Sequence, residues 1–225
     1  MSSSPDGIYE RGVVDPGLPV KEYSQPFWLS EPSSISKLQS IWVQEADVVI
    51  IGSGVTSASL CLTLYSICPE LKIVVLEARE LCSGATGRNG GHCKAMSPGV
   101  WYDYKSHHPQ AISACVKENN LECDLRTVEG LDVYHDESAF RRACDALEDM
   151  GKHSPELAAN YRCYLSRADL QARHLSEHCV GAIGMAAGTF WPYKFVTGLF
   201  ERMVRENNLS IQNEQPGYAN NRQRW

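Results

Sequence analysis

The sequence lacks the features of a membrane or exported protein. No stretch approaches the roughly 18 to 20 consecutive apolar residues needed to cross a bilayer. The first 40 residues also contain no apolar segment of the signal-peptide type. These absences predict a cytoplasmic protein without a membrane partner.

The sequence also lacks the patterns of a disulfide framework, a metal site or a nucleic-acid-binding surface. There is no C-x-x-C pair, and the total of nine cysteines is odd. His174 and His178 have no recognisable third ligand, so we expect a solvated pair and no metal. The net charge of −6 and the scattered Lys and Arg residues leave no basic surface for nucleic acid. We expect reduced, buried or partly buried thiols at Cys61, Cys68, Cys82, Cys93, Cys115, Cys123, Cys144, Cys163 and Cys179.

What is present is the composition of a globular protein, with 43% hydrophobic residues, after an atypical leader. Residues 1–44 contain five of the eleven prolines and a pair of serines at Ser33 and Ser34. Such a segment either lies along the folded body or forms a disordered tail. In the first case its apolar residues, Phe27-Trp28-Leu29, would dock on that body.

A βαβ unit follows the leader. Val48–Ile51 is a short β-branched run, which predicts a strand covered on both faces. Residues 55–68 fit a well-buried helix that Pro69 helps to end, and 73–76 form a second apolar run. Two strands joined by a helix within this distance are expected to be parallel, with a right-handed connection.

The turn between the first strand and the helix has the pattern of a dinucleotide site. Gly52 would make the tight turn and Gly54 would let the phosphates approach the helix N-terminus, whereas the third glycine of G-x-G-x-x-G is replaced by Ser57. Glu77 ends the second strand 25 residues after Gly52 and offers a carboxylate to ribose hydroxyls. The alternative is an ordinary α/β turn with a surface Glu.

A glycine-rich loop, CSGATGRNGGHCK, occupies residues 82–94. Its four glycines permit backbone N–H groups to converge on an anion, to which Arg88 would add a charge-assisted bond. The alternative for Arg88 is a solvated surface charge. Further along, the patterns predict helices at 109–119, 137–150, 167–174 and around 195–204, and strands at 128–134, 161–165 and from 209; residues 182–187 are small and apolar without an assignment.

The segments VVIIGSGVTSASL, VVLEAREL and CSGATGRNGGHCK resemble the opening of the D-amino-acid-oxidase-like flavoproteins, the superfamily of glycine, sarcosine and γ-glutamylputrescine oxidases. The stretch SGATGRNGG just after the strand-ending Glu is the specific part, and the resemblance runs from about residue 46 to 213. It implies an α/β fold, with a Rossmann-like FAD-binding βαβ domain and part of an α+β substrate domain.

The resemblance also implies FAD as the cofactor and an amine or amino acid as the small-molecule substrate, with no catalytic residue assigned. The cofactor-binding residues that it implies are Gly52, Ser53, Gly54, Val55, Thr56, Glu77, Ala78, Arg79, Ser83, Thr86, Gly87, Arg88, Asn89, Gly90 and Gly91. Among these, Thr86 and Gly87 would lie near the phosphates, and residues 88–91 toward the flavin. Cys82 and Cys93 flank this loop, and we expect core thiols there in preference to a redox or covalent-flavin role.

The resemblance predicts five segments. They are a leader (1–44), a first FAD-binding segment (45–100), a partial substrate or cap domain (101–190), a return segment to the FAD domain (191–216) and an irregular tail (217–225). The family would continue beyond this point, so we expect a fold that is incomplete at the C-terminus. Two hypotheses follow: an FAD-dependent oxidoreductase that oxidises a C–N bond, or a non-catalytic remnant that binds flavin weakly or not at all. An NAD-dependent dehydrogenase is disfavoured because no second nucleotide motif or catalytic acid is recognisable.

Overall fold

A computed structural model describes residue 19 and residues 22–94, 97–98 and 110–214 of the chain. These residues form two compact units. The first comprises the described residues within Met1–Arg88 and Val196–Trp225, and the second those within Asn89–Phe195. The division into five segments predicted from the sequence stays a prediction.

The first unit contains a three-stranded parallel sheet in the order β1-β2-β7. Its strands are β1 (Val48–Ile51), β2 (Ile73–Leu76) and β7 (Leu209–Gln212). Val48 pairs with Ile73, and Ile73 with Leu209, so the three strands end at the same edge of the sheet. The predicted βαβ unit is therefore present.

Two burial predictions for this unit are wrong in part. β2 is buried along its whole length, as expected for an inner strand, but β1 has only β2 as a neighbour among the described residues and exposes Val49 and Ile51. Helix α1 (Val55–Ile67) buries one stripe, which includes Ala58, Cys61 and Tyr65, and exposes Leu60 and Ile67 on another face. Both segments form the predicted strand and helix. The described residues include no layer that covers the exposed side chains of β1 and α1.

The described part of the leader docks on the first unit. A 3-10 helix at Phe27–Leu29 contacts a second 3-10 helix at Ala85–Arg88. Farther along, Leu81 N donates to Ser36 O at 2.9 Å, and Gln39 forms an antiparallel bridge with Gln212. Of the two alternatives for the leader, the docked one therefore holds for the described residues, but the prediction is wrong for the side chain of Phe27, which is 70% exposed.

The second unit contains a four-stranded antiparallel sheet centred on β6 (Gly181–Thr189). Strand β4 (Arg126–Tyr134) pairs with the whole of β6, while β3 (His92–Lys94) and β5 (Tyr161–Tyr164) share its other side. The helices are α2 (Gln110–Glu118), α3 (Glu137–His153), α4 (Pro155–Ala158), α5 (Arg167–Ala172) and α6 (Pro192–Glu206), and α6 continues into the first unit.

The predicted α/β class is confirmed, with parallel and antiparallel sheets in the two units. Strand β6, the centre of the second sheet, was left unassigned from the sequence. Over the described residues, no helix combines the length and the apolar character that crossing a bilayer requires.

Candidate nucleotide-binding site

The site begins where β1 turns into α1. Gly52 has φ +91°, a conformation that residues with a side chain rarely adopt. Gly54 precedes the first residue of α1, and a Cβ built on it would lie 3.2 Å from Thr86 Oγ1. The turn thus depends on glycine for its backbone angle at the first position and for the approach of a neighbouring loop at the second.

The N-terminus of α1 faces solvent and the hydroxyl of Thr86. Val55 and Thr56 are exposed, and Val55 N donates to Thr86 Oγ1 at 3.1 Å. The first N–H groups of a helix have no partner within the helix, and they lie at the positive end of its dipole. This N-terminus can therefore accept an anion, and Thr86 marks one position from which an acceptor oxygen reaches it.

Ser57, the departure from the glycine pattern, fits the turn. Its side chain is buried, and its Oγ donates to Gly52 O at 2.7 Å. The hydroxyl therefore ties the first turn of α1 to the glycine turn. The next residue, Ala58, is fully buried, so close packing of the helix survives the substitution.

The carboxylate of Glu77 points at the glycine turn. Its Oε2 accepts from Ser53 N at 3.0 Å and from Ser53 Oγ at 2.6 Å, and its Oε1 accepts from Arg79 N at 3.0 Å. Ser53 Oγ in turn accepts from Cys82 N at 2.7 Å. Each carboxylate oxygen accepts about two hydrogen bonds, so Oε1 retains capacity for one more donor.

The loop after β2 is packed against the same turn. Cys82 and Ser83 are buried, and Ser83 Oγ has no hydrogen-bond partner among the described residues. Burial, and secondly the charge of Glu77, raises the pKa of the Cys82 thiol to about 12. This thiol is therefore protonated near neutral pH, as expected of a core cysteine.

Arg88 is held by the leader. Its Nε donates to Ser83 O at 3.0 Å, while Nη1 and Nη2 donate to Ser24 Oγ and Ser24 O at 3.0 and 2.7 Å. The ring of Tyr23 lies 5.2 Å from Arg88 Cζ and 4.9 Å from Arg79 Cζ. The hydrogen bonds to Ser83 and Ser24 use three of the five N–H groups of the Arg88 guanidinium. Arg88 is therefore an oriented cation and not a freely solvated one.

Sequence reasoning did not single out Tyr23 or Ser24. Both lie in the proline-containing leader, where no periodicity marks them, and only the neighbouring apolar residues 27–29 suggested docking. Their role depends on residues more than 50 positions away, which a local pattern does not reveal.

The remaining predicted residues separate into two groups. Ala78 is half-buried directly after Glu77 in the first unit. Asn89, Gly90 and Gly91 belong to the second unit, where Gly91 N donates to Asn89 Oδ1 at 2.9 Å and Gly91 O accepts from Phe190 N at 3.1 Å. The structure thus brings together Gly52, Ser53, Gly54, Val55, Glu77, Arg79, Ser83, Thr86 and Arg88 in one unit.

The geometry agrees with the family comparison. The family model of the FAD dependent oxidoreductases (DAO) matches residues 47–216. The chain belongs to this family. FAD, the cofactor predicted from the sequence, is confirmed as the family's cofactor. No curated protein matches the chain.

Solved structures share the fold at low sequence identity. L-amino acid deaminase from Proteus myxofaciens, in complex with anthranilate, matches with a TM-score of 0.65 and 17% identity over 87% of this chain and 42% of its own. Glycine oxidase from Bacillus cereus matches with a TM-score of 0.54 and 14% identity over 76% and 46%. L-α-glycerophosphate oxidase from Mycoplasma pneumoniae, with FAD bound, matches with a TM-score of 0.55 and 16% identity over 76% and 45%. The chain therefore spans less than half the length of these structures.

The described residues fit a bound dinucleotide. The turn carries no side chain at Gly52 or Gly54, Val55 and Thr56 at the start of α1 are exposed, and the carboxylate of Glu77 faces the turn. The loop after β2 adds the buried hydroxyl of Ser83, which has no hydrogen-bond partner in the part of the chain that the structure describes. A diphosphate would accept hydrogen bonds from the backbone of the turn and from the Ser83 hydroxyl, and a ribose hydroxyl would donate to Glu77.

Proposed function

We propose that the chain binds FAD through its first unit and acts in the oxidation of a C–N bond of an amine or amino acid. The observation that carries the proposal is the convergence of the Gly52–Gly54 turn, the N-terminus of α1 and the carboxylate of Glu77 on one edge of a parallel sheet. Ligands of doubly wound α/β proteins bind at this edge, beyond the carboxyl ends of the strands.

Each group has a separate part in holding the cofactor. The pyrophosphate would lie against Gly52, Ser53 and Gly54 and the first N–H groups of α1, at Val55 and Thr56, where backbone donors and the helix dipole stabilise negative charge. Glu77 would accept a hydrogen bond from the ribose, with its orientation fixed by the N–H groups of Ser53 and Arg79.

The glycine-rich loop would supply the remaining contacts to the cofactor. Thr86 lies beside the helix N-terminus, and Gly87 lies close against Cys82 O. Both are proposed to contact the phosphates, with Ser83 supplying a hydroxyl that has no hydrogen-bond partner among the described residues. Arg88 would add a fixed positive charge, and Ala78 would line the ribose side after Glu77. By the family resemblance, Asn89, Gly90 and Gly91 are proposed to lie toward the flavin.

FAD, when bound, supplies an acceptor for a hydride from the substrate carbon that bears the nitrogen. The chain's own described residues contribute binding and orientation, and no catalytic acid or base is assigned among them. An amine or amino-acid substrate is supported by the family resemblance and by the fold shared with an L-amino acid deaminase and a glycine oxidase.

A glycine substitution tests the cofactor site directly. Gly54→Ala places a Cβ 3.2 Å from Thr86 Oγ1 and obstructs the phosphate approach, so we expect FAD to bind at least about tenfold more weakly, which corresponds to about 1.4 kcal/mol. The measurement is a titration of the purified full chain with FAD, followed by flavin fluorescence. The matched control is Gly151→Ala in α3, where the added Cβ meets only Ala158 Cβ at 4.0 Å. Equal affinity for the two variants would contradict the proposed site.

The exposed strand β1 favours a second candidate, a non-catalytic chain that binds flavin weakly or not at all. The two candidates differ in a single measurement on the flavin-loaded chain. Loss of the visible flavin absorbance after anaerobic addition of amines or amino acids supports the oxidoreductase. A spectrum that no amine or amino acid changes supports the second candidate.

A further inference from the structure

Two cysteines of the second unit lie in contact. Cys144 Sγ and Cys163 Sγ are 3.8 Å apart. Cys144 lies in the middle of α3, and Cys163 lies on β5, with the segment 145–162 between them in sequence. Both thiols are free in the structure.

The packing of α3 on the second sheet brings these sulfur atoms together. Phe140 and Ala143 of α3 pack against Ile183 and Met185 of β6, and Cys144 lies at the margin of this cluster. On β5, Cys163 pairs with Ile183 and Tyr161 pairs with Met185. Residues two apart in a strand share a face, so Cys163 points to the same side as Tyr161, toward α3.

The two thiols differ in exposure. Cys163 is exposed and Cys144 is half-buried. Burial, followed by the neighbouring Cys163, raises the pKa of Cys144 to about 11. An oxidant from solvent therefore meets Cys163 first, and Cys144 is the protected neighbour that can react second.

We propose that Cys144 and Cys163 form a redox-sensitive pair that closes to a disulfide when the protein encounters a hydroperoxide. In the first step the Cys163 sulfur attacks hydrogen peroxide: an S–O bond forms, the O–O bond breaks, and the products are a sulfenic acid and one water. In the second step the Cys144 sulfur attacks that sulfenic sulfur: an S–S bond forms, the S–O bond breaks, and a second water leaves. Two thiols thus lose two hydrogens and two electrons to one peroxide.

Closure begins from sulfur atoms that are already in contact at 3.8 Å, and it brings them to the disulfide bond length of about 2.05 Å. Closure would tie the middle of α3 to β5 across the core cluster. The inference uses only the second unit, so it holds or fails independently of the proposed FAD site.

Peptide mapping of the full chain tests the pairing. Trypsin places the two cysteines in separate peptides, residues 143–152 and 163–167, each with one cysteine. After stoichiometric peroxide and blocking of the remaining thiols, we expect one linked species of these two peptides that dithiothreitol releases. The same treatment in denaturant should reduce its yield at least several-fold, since nine cysteines then compete.

Serine variants give the matched controls. Cys144→Ser and Cys163→Ser should each abolish the linked species, whereas Cys68→Ser, at another exposed cysteine, should leave it unchanged. The oxidised wild-type protein should unfold at a Tm on the order of 5 °C higher than the reduced one, with no such shift in either variant of the pair. Sulfinic acid at Cys163 without linked peptide in the folded protein would overturn the proposal, as would equal linkage in denaturant.

Discussion

The two outer strands of the parallel sheet differ in what covers them. Along β7, Ser40 N donates to Ile211 O at 2.9 Å and Ile211 N donates to Ser40 Oγ at 3.0 Å, so the leader occupies the outer edge of this strand. Along β1, the described residues offer no partner beyond β2, and Ile51 is 86% exposed. The leader, which has the composition of a flexible tail, forms hydrogen bonds along the outer edge of β7. Strand β1, which has the sequence of a buried strand, lies at the other edge with much of its length exposed.

The difference also bears on the nucleotide site. The Gly52–Gly54 turn follows the exposed strand β1, whereas Arg79 and Arg88 are held from the leader side through Tyr23. One side of the site therefore depends on a single neighbouring strand, and the other depends on the docked leader.

The largest effect expected at the edge that the leader covers is at Asn213, directly after β7. Its side chain is fully buried, and its Nδ2 donates to the carbonyls of Ile35, Ser36 and Leu38 at 3.4, 3.2 and 3.1 Å. Asn213→Ala removes this buried side-chain donor, while each carbonyl keeps one backbone donor, from Leu38 N, Leu81 N and Asn213 N, so we expect a loss of about 2 to 3 kcal/mol in the free energy of unfolding. Urea denaturation measures it.

Asn208→Ala is the matched control for this substitution. Asn208 is exposed and uses its backbone carbonyl, which the substitution retains, to accept from Ile73 N. We expect a change within about 0.5 kcal/mol. Similar stability of the two variants would show that the leader contributes little to the first unit.

A smaller effect is expected at Tyr23, whose ring lies at similar distances from two guanidinium groups. Tyr23→Ala removes both cation–π contacts, each worth about 0.5 to 1 kcal/mol, while Arg88 keeps its hydrogen bonds to Ser83 and Ser24. We expect a loss of about 1 to 2 kcal/mol in unfolding free energy and an FAD affinity several-fold lower. Urea denaturation and the fluorescence titration measure the two effects.

Tyr23→Phe keeps the aromatic ring and serves as the control. If the ring orients the arginines, this variant should match the wild type in both measurements. A loss as large as that of Tyr23→Ala would assign the effect to the hydroxyl and contradict the cation–π interpretation.

The first unit was largely predictable because its signals are local. Val48–Ile51 and Ile73–Leu76 are β-branched runs, and Gly52 and Gly54 follow directly in the pattern of a nucleotide turn. Such signals need no knowledge of distant residues, and the structure places the strands and α1 within one residue of the predicted bounds. The hydrogen bonds between Ser53 and Glu77 were harder to predict. Their position at the same edge of the sheet predicts that the two residues are close, but not that they bond to each other.

Strand β6 was not predictable in the same way. Its sequence, GAIGMAAGT, is rich in Gly and Ala, which are depleted in strands. The structure supplies the reason for one of them: a Cβ at Gly181 would collide with the ring of Phe140 from α3. Small residues are selected here by a helix and by neighbouring strands that come from elsewhere in the chain, so the local pattern carries no strand signal. The contact of Tyr23 with Arg79 and Arg88 is long-range for the same reason.

The smallest expected effect tests the exposed strand. Ile51→Ala removes a side chain that is 86% exposed, so we expect less than about 0.5 kcal/mol of change in unfolding free energy, whereas Ile50→Ala, at a position 9% exposed, should cost about 2 to 5 kcal/mol. Urea denaturation at two protein concentrations measures both. A large loss for Ile51→Ala that grows with protein concentration would mean that a second copy covers β1 in solution. In that case β1 would be an exposed edge only in the isolated chain, because the edges at β1 and β7 would both be covered when copies associate.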